Sequence, residues 1–121
     1  MRLAQVAQRA VDLDRAGAFY TALLEMEPVA RFDPPGLLFF DLDGIRLLLD
    51  RNAPSSLIYF HVANVHETLE RLDGVARVVS HPHVIFRHDD DRLGPEGHEE
   101  WQAFIEDSEG NTVGLIAFQR P

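Results

Sequence analysis

"DLDRAGAFYTALLEM", residues 12–26, reads as an amphipathic helix, and the fold follows from what lies on either side of it. Leu13, Ala16, Phe19, Tyr20, Leu23 and Leu24 recur at helical spacing and form one apolar stripe. Asp12 is placed to cap the helix, and Asp14 puts negative charge in the first turn, where exposed backbone N–H groups favour it. Pro28 stops the pattern. Upstream, "LAQVAQRAV" (3–11) alternates loosely and predicts a strand. Downstream come three short β runs, "PVARF", "GLLFFDL" and "IRLLLD". They are punctuated by "DPPG" and "DG", both strong turn signals. The order is β-α-β-β-β.

The order then repeats. "RNAPSS" (51–56) is a polar linker. "LIYFHVA" predicts a strand, and "NVHETLERL" a helix with Asn64 as its cap and Glu67 at the capping-box position. "VARVVS" (75–80), "WQAFIED" and "TVGLIAF" predict three more strands. Ser108, Glu109, Gly110 and Asn111 make the turn between the last two, since Asn and Gly tolerate positive φ. Residues 81–100, "HPHVIFRHDDDRLGPEGHEE", read as a loop longer than its counterpart in the first half. The expected architecture is one α+β domain, residues 1–121, built from two paired βαβββ modules of mixed sheet. The first module is about 1–52 and the second about 57–121.

Composition narrows the function. The 121 residues suit a single domain, and a hydrophobic fraction of 45% permits an ordinary core. There is no cysteine, which removes disulfides, thiolate metal sites and cysteine nucleophiles. All 11 basic residues are arginines, so lysine Schiff-base chemistry is excluded. A formal charge of −9 with scattered arginines argues against nucleic acid as a partner. No apolar run is long enough to span a membrane, and the N-terminus lacks a signal-peptide pattern, so a cytoplasmic location is expected. Neither a nucleophile elbow nor a dinucleotide fingerprint occurs.

"DLDRAGAFY" in the first helix and "EDSEGN" before the last strand, set within the repeat, resemble the vicinal oxygen chelate superfamily. That group includes glyoxalase I, bleomycin-resistance proteins, extradiol dioxygenases and methylmalonyl-CoA epimerase. The resemblance implies a cup-shaped half-barrel made from the two sheets, and a homodimer. It also implies, in metal-using members, one metal ligand from the first and last strand of each module. Carried onto this chain, those positions are Gln5, a residue near Leu47, Leu57 and Gly114. Only Gln5 offers a donor, so no metal or other cofactor is expected at the family site. Two functions remain open. One is a binding protein holding a small oxygenated or partly apolar ligand. The other is a divergent lyase, isomerase or dioxygenase-type enzyme using His61 or a non-standard metal site.

Strand residues two apart share a face. If the four family positions face the cup, Gln5 brings Ala7 and Arg9, and Leu47 brings Ile45 and Leu49. By the same rule Leu57 brings Tyr59 and His61, and Gly114 brings Thr112, Ile116 and Phe118. That is an apolar lining with a few polar points, the usual form of a small-molecule site, or else simply a filled core. Expected ligand-binding residues are Gln5, Arg9, Tyr59, His61, His83, Glu100 and Trp101. His61 is the candidate acid–base group, because an unperturbed imidazole titrates near neutrality, and the alternative is a histidine satisfied within the sheet. Arg9 suits a ligand carboxylate or a surface ion pair. Trp101 suits either a ligand or the core. His81, His83, His88 and His98, with Glu99 and Glu100, supply donors for a divalent ion elsewhere, although such polar runs are usually solvated. Residues 84–100 are expected to form a lid over Tyr59 and His61.

Overall fold

A computed structural model describes all 121 residues. The contacts divide the chain into two units. The first comprises Met1–Ser56 together with Asp107–Asn111, and the second comprises Leu57–Glu106 with Thr112–Pro121.

The first unit contains β1 (Gln5–Arg9), α1 (Leu13–Leu24), β2 (Ala30–Phe32), β3 (Leu37–Leu42) and β4 (Ile45–Asp50). Its sheet order is β1-β4-β3-β2, parallel between β1 and β4 and antiparallel elsewhere. Asp12 caps α1 by accepting a 3.0 Å hydrogen bond from the Arg15 amide, and Glu25 closes it in the left-handed region at φ 56°. One side of the sheet meets the helix. The Tyr20 ring lies 6.4 Å from Phe40, and Gly17 lies against Leu38. Paired residues share a face, so Leu47 and Val6 stand with Phe40, and Leu49 and Gln8 with Leu38. Leu13, Tyr20, Phe40, Leu47 and Leu49 are sealed from solvent, each worth roughly 1.5–3 kcal/mol of burial.

The second unit repeats this plan. It contains β5 (Ile58–His61), α2 (Val65–Arg71), β6 (Arg77–Arg87), β7 (Glu99–Glu106) and β8 (Thr112–Gln119). The order is β5-β8-β7-β6, again parallel only between the first and last strands of the module. Asn64 caps α2 through the Glu67 amide at 3.1 Å. Val65 and Leu72 join Ala103, Ile105, Val113, Leu115 and Ala117 in the buried set.

Two expectations are corrected. Ile45, Leu47 and Leu49 do not line the face away from the helix; Arg46, Leu48 and Asp50 occupy that side of β4. Leu47, Leu48 and Leu49 are all buried, so the strand carries no alternation from which to read its register. The loop predicted for 81–100 is shorter, because β6 runs on to Arg87 and β7 begins at Glu99. Pro82 suggested a break, but β6 is an edge strand with register shifts around Ser80 and His83, and there a residue without an N–H is tolerated.

Candidate functional site

The second sheet's face away from α2 gathers most of the chemistry. Pairing places Tyr59, Gly114 and Phe104 in one row. His61, Ile116 and Gln102 form the next, and Phe118 stands beside Glu100. Aromatic contacts link them: Tyr59 to Phe104 at 5.7 Å, and His61 to Phe118 at 5.4 Å. Tyr59 and His61 are exposed, and Glu100 is buried.

Gly114 is the pivot of this face. A Cβ built on it would lie 2.5 Å from Tyr59 Cδ2, closer than real side chains approach. Its missing side chain is what lets the Tyr59 ring lie down on the strand. The position where the family resemblance puts a metal-binding carboxylate is therefore covered by an aromatic ring.

Glu100 is held from two directions. His88 Nε2 lies 2.9 Å from its Oε1, and Gln102 Nε2 donates to Oε2 at 2.6 Å. The His88 side chain is 3% exposed and sits between Phe86 (4.4 Å) and Phe118 (5.4 Å). The connection from 88 to 98 closes on itself, with the His88 amide donating to His98 O and the Gly97 amide to His88 O, each at 2.9 Å. Gly94 comes so close that an added Cβ would meet Phe118 at 2.6 Å and His88 at 2.8 Å. This loop thus seats on His88 and Phe118, one ring removed from His61, rather than on Tyr59.

Of the remaining predicted residues, His83 stands at the sheet edge in the same row as His61 and Gln102, and Gln5, Arg9 and Trp101 fall elsewhere. Gln5 and Arg9 lie in the first unit, on the sheet face away from α1, with Gln5 paired to Arg46 and Arg9 to Asp50. His83 is exposed on β6, opposite Gln102 in register, and its Nδ1 contacts His81 O at 2.9 Å. Trp101 is on the opposite side from Tyr59 and His61. It meets His66 of α2 at 5.1 Å, and its Nε1 is sealed without a partner. The histidines of the 81–98 stretch do not converge: His98 contacts Glu96 O, and no three His, Asp or Glu side chains form a metal-binding group. The sequence reading grouped His88 with Glu100 only as donors for a divalent ion, and it missed Gln102 as a member of the cluster. The signal available was the i, i+2 spacing of Glu100 and Gln102, which puts both on one strand face.

A second polar cluster explains the "DSEGN" turn. Asp107 Oδ2 accepts from Tyr20 Oη at 2.6 Å and from Asn111 Nδ2 at 2.9 Å, while Oδ1 accepts the Glu109 and Asn111 amides. Asn111 also donates to Arg9 O and accepts from Ser55 Oγ. Glu109 receives the Val11 and Asp12 amides at 2.8 Å and the Arg15 guanidinium at 2.7 Å. Burial pulls the Glu109 pKa upward, but Arg15, the Asp12 amide and Ser108 together hold it below the ordinary carboxylate value. Burial and the neighbouring Asp107 push the Tyr20 phenol well above its ordinary range. Every polar group here is matched, so the cluster is structural: it fastens the turn to the N-terminus of α1.

A family model described as the Glyoxalase/Bleomycin resistance protein/Dioxygenase superfamily matches residues 2–115. Among solved structures, a lactoylglutathione lyase from Agrobacterium tumefaciens is similar at 25% identity and a TM-score of 0.69, with 96% of this chain and 92% of that one covered. A glyoxalase/bleomycin resistance protein/dioxygenase from Alicyclobacillus acidocaldarius is similar in fold at 16% identity and a TM-score of 0.66, covering 97% and 91%. So is a virulence protein from Salmonella typhimurium, at 14% identity and a TM-score of 0.69, covering 98% and 97%. No curated protein matches.

Proposed function

We propose that this chain, which belongs to the glyoxalase/bleomycin resistance protein/dioxygenase superfamily, binds a small, partly apolar molecule on the Tyr59–His61 face and does so without the metal ion of metal-dependent relatives. The observation that carries the reading is the Tyr59 ring lying on Gly114. A divalent ion needs oxygen or nitrogen donors, and leucine and glycine have none. On that side of β4, Arg46 and Leu48 offer no donor for a cation, and the one carboxylate, Asp50, stands at the strand's end opposite Arg9 and accepts the Asn52 amide. The donor set does not fit the ion, and the aromatic ring at Gly114 suits an organic ligand instead. Tyr59, Phe104 and Phe118 offer apolar surface, and His61 offers a polar contact, the mixture common in ligand sites.

Metal analysis of the purified protein tests the metal-free part, together with thermal shift in the presence of zinc, nickel, manganese or a chelator. The expected result is no stoichiometric metal and no shift. A bound ion at one equivalent overturns it. Binding on this face is tested by screening small aromatic and oxygenated compounds against wild type and Tyr59→Ala; hits that bind both equally count against it.

A second reading is a divergent lyase or isomerase with His61 as acid–base group. The likeness to the lactoylglutathione lyase structure favours it, as does the exposure of His61 beside Phe118. Turnover of a 2-oxoaldehyde–thiol adduct that disappears in His61→Ala supports this reading, and turnover unchanged in that variant removes it.

A further inference from the structure

The His88–Glu100 pair takes no part in the reading above. An imidazole and a carboxylate buried together gain little net stability, because desolvation offsets their attraction. Their geometry does fix something else. An ionised carboxylate only accepts hydrogen bonds, so a neutral His88 must carry its proton on Nε2, 2.9 Å from Glu100 Oε1. Gln102 occupies the other carboxylate oxygen and holds Glu100 in that orientation. Nδ1 is left as a bare acceptor. It has no hydrogen-bond partner in the chain, and the imidazole is 3% exposed. His88 lines a concavity of about 460 Å³ together with Phe86, Arg87, Asp89, Asp90, Arg92 and Leu93.

We propose that His88 Nδ1 anchors a second small-molecule site in this concavity, accepting the O–H or N–H of a small planar ligand whose ring rests against Phe86 and Leu93. Both of those side chains are exposed, at 40% and 78%, and both line the opening. Asp89 and Asp90 offset Arg87 and Arg92 around the same rim, which selects a neutral ligand over an ion. Gly94 supports the arrangement at the Cε1–Nε2 edge of the ring, where its lack of a side chain lets the loop press on the imidazole. Glu100 and Gln102 are positioning residues: they set which nitrogen faces the ligand.

Phenol and anisole serve as probes, because they share the ring and anisole replaces the O–H donor by O–CH3. Nitrogen-15 spectra of the wild-type protein should show His88 as the Nε2–H tautomer, with Nδ1 shifting on addition of phenol. Phenol should bind about tenfold tighter than anisole, the worth of one hydrogen bond. His88→Phe should abolish that preference, while Tyr59→Ala should keep it, which separates this site from the Tyr59 face. An Nδ1–H tautomer, equal affinity for the two probes, or shifts at His61 in place of His88 would each overturn the proposal. The tautomer and probe measurements need no variant, so they decide the matter even if His88→Phe fails to fold.

Discussion

Tyr20 and Asp107, 87 residues apart in sequence, share a 2.6 Å hydrogen bond with both side chains buried. The phenol donates, and the carboxylate's other oxygen is filled by the amides of its own turn. Replacing Tyr20 by Phe keeps the ring against Phe19 and Phe40 but strips a charged acceptor of one donor. The expected cost is about 1.5–3 kcal/mol, read as a lower urea midpoint at unchanged slope. Because the folded phenol's pKa is raised, its stabilisation is complete below the ordinary value of 10 and is lost as pH climbs above it. Wild type should therefore lose stability above that pH more steeply than Tyr20→Phe.

Glu109 gives the opposite pH response. Its folded pKa lies below the ordinary 4.5, so its contribution is fully present above that value and fades as pH falls through the folded one. Glu109→Gln keeps an acceptor for the Val11 and Asp12 amides but loses the charge facing Arg15. The variant should be about 1–2 kcal/mol less stable at neutral pH, and the gap should close on acidification below 4.5. A gap that stays constant across the acid limb would contradict this.

Gly114→Ala should be destabilising although Gly114 lies in a regular strand. The new methyl group meets the Tyr59 ring, and overpacking of this kind costs about 1–3 kcal/mol. Tyr59→Ala should rescue most of the loss, so a double-mutant cycle should give a coupling of about 1 kcal/mol or more. Additive effects would mean that the ring does not rest there.

The edge of the second sheet bears on assembly. β6 is eleven residues long, unpaired on its outer side, and exposes Val79, Val84, Ile85 and Phe86. Such an edge invites pairing with another chain. A two-fold dimer is expected at tens of micromolar by light scattering, and Ile85→Lys should shift it toward monomer. A monomeric wild type would remove the prediction.

Much of this fold could be read from short-range signals. Asp12 and Asn64 cap their helices as their residue types suggest, and the repeated βαβββ order predicts the repeated strand order. The failures have local causes. Three successive leucines in β4 hide the strand's phase, and Pro82 disguises an edge strand as a loop. The candidate sites were less legible. His88 reaches Glu100 across a hairpin, and Tyr59 reaches Gly114, 55 residues on, so both depend on strand register. Residue type and spacing along the chain do not carry that information.

The tethering of Asp107–Asn111 to the first unit has a consequence for any attempt to separate the halves. A cut in the linker at 51–56 would leave the N-terminal piece without the carboxylate that Tyr20 bonds and without the glutamate that caps Arg15. The C-terminal piece would carry both as a displayed peptide loop, with Asp107 and Asn111 stripped of their partners on α1 and β1. Each fragment therefore holds half of one lock. Co-expressed, they are expected to reassemble through that loop, which makes the chain a natural candidate for split-reporter complementation.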